Sequence, residues 1–481
     1  MRSSVSPRPR PSIAVVLGLA LAATWRPASA AGQGPGSLTE RYRETAGRLI
    51  GAALADEAGW EKLEYLTTRI GHRLSGSEGL ERAIAWAAER MRAEGLDVTL
   101  QPVMVPHWVR GEESARVTGP VERRMSILGL GNSVGTPPEG IEAPVVVVES
   151  FEELEAMPRA EVEGKIVLFA VEWEGYGRTV RYRSGGASAA ARKGAVAALV
   201  RSATGSSLYT PHTGAMNYAD DAPRIPAAAV TVEDALWMRR MAEAGETVTV
   251  RLSMEAEMLD DAPSANVIAE IRGSELPDEV VVMGGHFDSW DVGQGAHDDG
   301  AACIAAWHAL TLIHELGLRP RRTLRVVLWT NEENGLRGGQ AYRDSLGPDV
   351  SSHVAAIEMD GGNERPVGFG FTLPNVDGDG PHPGQEAGME TLGEIGRLLD
   401  GIEAGQIMSG GGGADIGPLM RDGVPGLALR TVGEHYFDWH HTDADTIDKV
   451  RPIDFRKAVA MLAVMGYALA DMPGQLDEIG G

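Results

Sequence analysis

The sequence predicts an α/β fold: a mixed, largely parallel sheet with helices on both faces, plus an inserted β-rich domain. Two observations carry this reading. After Asp260, apolar strand-like runs alternate with helical ones, the pattern of parallel strands joined by helical crossovers. Between about Glu113 and Met258 the texture changes to short β runs separated by Gly and Pro turns, as in a small domain of its own.

Taken in order, residues 1–30 read as a signal peptide. Arg2, Arg8 and Arg10 precede an apolar run over 13–25, and Ala28-Ser29-Ala30 forms a small-residue cleavage site. The run is too short and too weakly flanked for a transmembrane helix, so no stable membrane insertion is expected after cleavage. No cysteine follows it to carry a lipid, and the arginines are not adjacent, which favours general over twin-arginine export. The mature chain is thus expected in the periplasm or outside the cell.

Residues 31–112 form the N-terminal part of the main domain. Ala83, Ile84, Ala87, Met91 and Leu96 recur at helical spacing, Gly95 stops the helix, and 96–105 alternates as a strand. The insert, 113–260, carries the β runs VVVVES, GKIVLFA, AALVRS, PAAAVT and TVTVRLS, with an Ala-rich helix over 187–193. Residues 261–481 return to the main domain. Strands are expected at 266–271, 280–284, 323–329 and 354–359, with helices at 301–316 and 336–346. The stretch 361–386, rich in Gly and Pro, reads as a long loop near the site. Open α/β sheets place ligands at the carboxyl ends of their strands, which is where the polar motifs of this chain fall.

Composition narrows the partners. Charged residues at 23% and hydrophobic ones at 43% describe an ordinary globular protein, and 481 residues suffice for two or three domains. A net charge of -24 argues against nucleic acid and anionic membrane surfaces as partners, because either would be repelled. Cys303 is the single cysteine, so no intrachain disulfide exists; in its Ala-rich helical run it reads as an inert buried thiol.

The chemistry concentrates in GGHFDSWDVGQGAHDDG, residues 284–300, and three later motifs: 331–335, 359–362 and 440–446. His286 ends a strand as a candidate metal ligand, and the carboxylate of Asp288 is placed to take its other ring N–H. Asp298 opens a helix and, having two oxygens, is able to bridge two cations; Asp299 is a backbone or supporting partner. Glu332 and Glu333 are adjacent carboxylates that repel unless a metal separates their roles, one ligating and the other serving as general base. Asp360 is a further ligand. His441 is another, with Asp445 four residues on to orient its loop or ring, and His440 supports the site or faces substrate. His297 reads as a plain turn residue. Imidazole nitrogens with carboxylate oxygens and open positions suit a pair of zinc ions.

Competing motifs fail. HExxH is absent. Gly131-Asn132-Ser133-Val134-Gly135 matches GxSxG, but Thr136-Pro137-Pro138 forbids the helix that a nucleophile elbow needs, so it reads as a turn. The run 410–413 lacks a following GK[ST], although its backbone N–H groups, ahead of a helix near Asp415, could hold a substrate carboxylate or carbonyl.

These residues resemble the zinc-dependent exopeptidase superfamily that includes bacterial aminopeptidases and glutamate carboxypeptidases, and within it the carboxypeptidase Q family. Arg73-Leu74-Ser75-Gly76-Ser77, Pro106-His107-Trp108, Arg110-Gly111-Glu112-Glu113-Ser114, Gly135-Thr136-Pro137-Pro138-Glu139-Gly140 and Pro211-His212-Thr213-Gly214 extend the likeness from about residue 40 to about 472. The resemblance implies two Zn²⁺ per chain on His286, Asp298, Glu333, Asp360 and His441, with Glu332 as general base. It also implies a protease-associated-like insert, a homodimer, a cis peptide between Asp298 and Asp299, and hydrolysis of short unblocked peptides, dipeptides above all. An aminopeptidase releasing N-terminal residues is the alternative within hydrolases. A non-catalytic receptor-like module would be expected to have lost ligands, and a one-zinc cyclase part of the second set. The chain differs from the family at His297, Trp439 and Asp443, which flank the site.

Overall fold

In the computed structural model, eight strands form the sheet that carries the site. Their spatial order is Asp97–Val109, Glu257–Ile271, Arg322–Trp329, Leu276–His286, His353–Glu358, Gly426–Thr431, Pro366–Thr372 and Gln406–Ser409. The structure describes residues 37–376, 378 and 380–476; the expected signal peptide lies outside them. The four central strands pair in parallel, as the strand–helix alternation predicts, and both flanks add antiparallel pairs.

The central strands are buried on both faces, so they read as continuous apolar runs rather than alternating ones. Val281 and Met283 join one core, with the helices Ala301–Glu315 and Pro452–Asp471; Val280 and Val282 join a second, with Tyr342, Ile416 and Leu419. Each fully buried Val or Met contributes roughly 1.5–3 kcal/mol. A one-residue slip would exchange the two faces, which fixes the register.

A second sheet of eight strands is built wholly from 113–254, with the helices Phe151–Ala156, Tyr176–Arg192 and Val232–Glu243 beside its strands. The helix Tyr176–Arg192 begins well before the expected Ala-rich stretch 187–193; its first half carries three arginines, which read as polar until the fold buries one of them, Arg183.

The expected loop over 361–386 is corrected: Pro366–Thr372 is a strand of the site-bearing sheet, and a helix begins at Gln385. Its glycines mark close approach rather than irregularity. A Cβ on Gly368 would lie 1.9 Å from the carbonyl oxygen of Gln406, and one on Gly370 would lie 2.1 Å from that of Gly410. The 131–135 segment is a turn with no helix after it, and Asn132 takes φ 70°.

Candidate metal centre

Four neighbouring parallel strands deliver the site at their carboxyl ends. His286 closes Leu276–His286, Glu332 and Glu333 follow Arg322–Trp329, and Asp360 follows His353–Glu358. His440 and His441 come after Gly426–Thr431, beyond the short helix Tyr436–Trp439. Asp298 lies in the turn that leads into Ala301–Glu315.

Asp298 stands between two imidazoles. Its Oδ1 is 3.2 Å from His286 Nε2, and its Oδ2 is 3.1 Å from His441 Nε2. His286 Nε2 lies 3.7 Å from Asp360 Oδ1, and His441 Nε2 lies 3.1 Å from Glu333 Oε2. Two donor groups result, His286/Asp298/Asp360 and Asp298/His440/His441, and they share Asp298. His440 approaches through Nε2 at 3.6 Å from Asp298 Oδ2, with its ring stacked 3.5 Å from that of His441. All sequence-predicted ligands converge here, and His440 lies closer to the donors than a purely supporting residue needs to.

The electrostatics call for a cation. Burial pushes the Glu332 carboxyl well above its usual range, against the pull of His286, and the negative Asp360 and Glu333 push it further. Burial also raises Glu333 to about 7, although His441 opposes the shift. For Asp298, burial is outweighed by His286 and His441, which hold the carboxyl well below its usual range. Asp298 Oδ2 is buried with no polar neighbour among the described residues better placed than the Nε2 atoms of His441 and His440, which cannot donate to it while they hold a metal. A small cavity of about 10 Å³, lined by Trp290, Asp298, Glu333 and His441, has room for a water or an ion. Nitrogen and carboxylate donors around an unsatisfied buried oxygen fit zinc.

Three supporting residues act differently from expectation. The ring of His286 is held at Nδ1 by the backbone carbonyl of Asp288, at 3.0 Å, whereas the Asp288 carboxylate is 3.9 Å away. That carboxylate instead accepts the backbone N–H groups of Glu332 and Glu333. Among the described residues Asp445 makes no hydrogen bond to the His441 ring; it accepts the backbone N–H groups of Ala296, His297 and Asp298, so it shapes the Asp298 turn. Asp299 makes no hydrogen bond through its carboxylate among the described residues; it lies fully buried against Gly285, where a Cβ would sit 2.1 Å from Oδ2. The Asp298–Asp299 peptide is cis. His297 accepts the N–H of Asn363 through Nδ1, consistent with a plain structural role.

Sequence reasoning missed several neighbours. Glu358 and Asp415 form a second buried carboxyl pair, and Glu358 takes the Ile416 N–H at 2.8 Å. Burial and Asp360 push Glu358 up to about 7. The glycine run was the available signal, since a Cβ on Gly413 would lie 2.1 Å from the Glu358 carboxyl carbon. Trp290 packs 5.5 Å from the His441 ring and gives its backbone N–H to Glu333. Gly131 makes room for that indole, because a Cβ there would come within 2.0 Å of it.

With this geometry in view, comparisons with known proteins are specific. The model of peptidase family M28 matches residues 266–465, and that of the PA domain matches 135–238. The chain is 44% identical over 423 residues to carboxypeptidase Q of Homo sapiens, spanning 88% of this chain and 87% of that one. It is 43% identical over 439 residues to carboxypeptidase Q of Xenopus laevis, spanning 90% and 91%. Among solved structures, a peptidase M28 precursor from Shewanella amazonensis SB2B superposes with TM-score 0.86 at 32% identity, covering 92% of this chain and 100% of that one. A zinc aminopeptidase from Bacillus subtilis shares the fold at TM-score 0.64 and 18% identity, covering 88% and 97%.

Proposed function

The chain belongs to the carboxypeptidase Q family of M28 peptidases, and we propose that it is a co-catalytic zinc exopeptidase acting on short unblocked peptides, dipeptides above all. The observation that carries the reading is Asp298, with one oxygen beside His286 and the other beside His441. That arrangement supports two Zn²⁺ per chain, held by His286, Asp298, Glu333, Asp360 and His441. Bound zinc supplies Lewis acidity toward a carbonyl oxygen and makes water a nucleophile at neutral pH.

The remaining work falls to the chain itself. Glu332 takes the proton of the attacking water and passes it to the leaving amine. Its burial among other carboxyls favours proton capture, and the Asp288 carboxylate fixes its backbone. Asp360 is the most exposed of the proposed ligands, with 27% of its side chain open, so substrate enters on its side.

We read 31–112 and 261–481 as one peptidase domain and 113–260 as its protease-associated-like insert; the matches at 266–465 and 135–238 fall inside these bounds. We also propose export through residues 1–30 and assembly as a homodimer. Among the described residues no helix is long and apolar enough to cross a membrane.

The test is product analysis of free, N-blocked and C-blocked dipeptides with the zinc-loaded protein. Cleavage of free dipeptides that is lost on blocking the C-terminus supports the carboxypeptidase reading. Cleavage that survives C-blocking and is lost on N-blocking establishes an aminopeptidase instead. Absence of hydrolysis in all three sinks both.

A further inference from the structure

The inserted module reaches the back of the His441 ring. Thr213 gives its N–H to the carbonyl of His441 at 3.0 Å, and its own carbonyl lies 3.3 Å from His441 Nδ1. His212, next in the chain, bonds through Nδ1 to the carbonyl of His440 at 2.8 Å. The ring and backbone of His441 are thus both tied to one segment of the insert, and His441 itself takes φ 62°.

Arg183, from the helix Tyr176–Arg192, completes the arrangement. Its Nη1 donates to the same Thr213 carbonyl at 3.2 Å and lies within hydrogen-bond distance of His441 Nδ1, at 3.4 Å; it bonds there only if Nδ1 carries no proton, so the guanidinium and the Nδ1–H share the one carbonyl in the other tautomer. Its Nη2 donates to the Tyr176 hydroxyl at 2.8 Å, and the guanidinium lies 5.5 Å from the centre of that ring. The residue is only 8% exposed and meets no carboxylate partner among the described residues. A buried cation without a counter-charge is costly, and what offsets the cost here is the Thr213 carbonyl with the Tyr176 hydroxyl and ring. Gly214 clears its place: φ is 135°, and a Cβ would sit 2.2 Å from the guanidinium.

We infer that Arg183 is a positioning residue for the zinc centre, fixing the Thr213 carbonyl so that it takes the Nδ1–H of His441 and leaves Nε2 free to bind metal. A carbonyl on one ring nitrogen selects the tautomer whose other nitrogen carries a lone pair. Here that nitrogen faces Asp298 and Glu333, each at 3.1 Å. The insert is then part of the metal site and not an appendage to it.

The inference rests on His441 being a ligand, so the experiment includes His441→Ala as reference. Zinc affinity is measured by chelator competition, and the visible spectrum is recorded with Co²⁺ in place of zinc. These are read for the full-length protein and for Arg183→Met, Arg183→Lys and Gly214→Ala. Arg183→Met and Gly214→Ala are expected to lose roughly 10- to 100-fold in affinity with a changed cobalt spectrum, and Arg183→Lys to recover part of it. Wild-type affinity and spectrum in Arg183→Met overturn the inference. Should Arg183→Met fail to fold, wild-type affinity in Gly214→Ala and Arg183→Lys overturns it equally. If His441→Ala also keeps both metals, the ligand assignment is what has failed.

Discussion

The carboxylate of Asp288 accepts the backbone N–H of Glu332 through Oδ1 at 3.0 Å, and that of Glu333 through Oδ2 at 3.2 Å. One side chain thus sets the turn that carries both the proposed base and a proposed ligand. Ser75 donates to the same carboxylate at 3.3 Å and also accepts from Asn331, tying the turn to the N-terminal part of the fold. Two adjacent glutamates reach different targets because their backbone is held from outside.

Glu332→Gln keeps the shape of the turn and removes the proton acceptor. We expect two zinc ions to remain and turnover to fall ~10²–10⁴-fold, the usual worth of general-base assistance. Metal analysis alongside steady-state kinetics checks this; a metal-loaded variant with near-normal turnover would sink the assignment.

Asp288→Ala leaves two N–H groups unpaired, that of Glu333 buried, at about 1–3 kcal/mol, and that of Glu332 partly so, at less, and loosens base and ligand together. Activity and zinc affinity should fall jointly, by roughly 10- to 100-fold. Asp288→Asn, which retains one acceptor oxygen, should lose less. The idea fails if Asp288→Ala affects kinetics while zinc affinity stays at its original value.

The convergence of the proposed ligands was legible because His286, Glu333 and Asp360 each follow an apolar run that the fold turns into a parallel strand, and such strands end at one edge. The supporting contacts were not. Nearness in sequence pairs Asp288 with His286 and Asp445 with His441, yet their carboxylates act on backbone 44 and 147 residues away. Nothing local encodes such pairings. Arg183 escaped for a related reason, since a basic residue in a helix reads as solvated until the fold buries it. The strand Pro366–Thr372 was hidden by glycines whose purpose is to admit a neighbouring backbone.

Asp445 accepts three backbone N–H groups around Asp298, so Asp445→Ala should disturb the shared ligand although Asp445 belongs to neither donor group. Zinc content after dialysis should drop below that of the parent protein, and added zinc should raise Tm only when in excess. Ligand binding stabilises by RT ln(1 + [L]/Kd), so a tenfold weaker site gives up about 1.4 kcal/mol at saturating metal. Unchanged zinc retention with a lowered Tm would mean that Asp445 serves the fold alone.

Stability should fall in acid through buried histidines that are not proposed ligands. His353, buried in the second core, meets the Tyr342 hydroxyl through Nε2 at 2.8 Å. Burial, with Arg325 nearby, pushes its pKa down to about 4 from the ordinary 6.5. Above pH 6.5 the ring is neutral in both folded and unfolded chains and pH has no leverage through it. Between 6.5 and 4 the unfolded chain takes up a proton that the folded chain refuses, so stability drops as pH falls. Below about 4 the loss levels off at roughly 3 kcal/mol or less. His212, pushed down to about 3 mainly by burial, acts with the same sign. In urea unfolding from pH 8 to pH 4, His353→Phe should therefore start lower, for want of a Tyr342 partner, and decline less steeply. Parallel curves for the two proteins would show that His353 takes no part in the acid response.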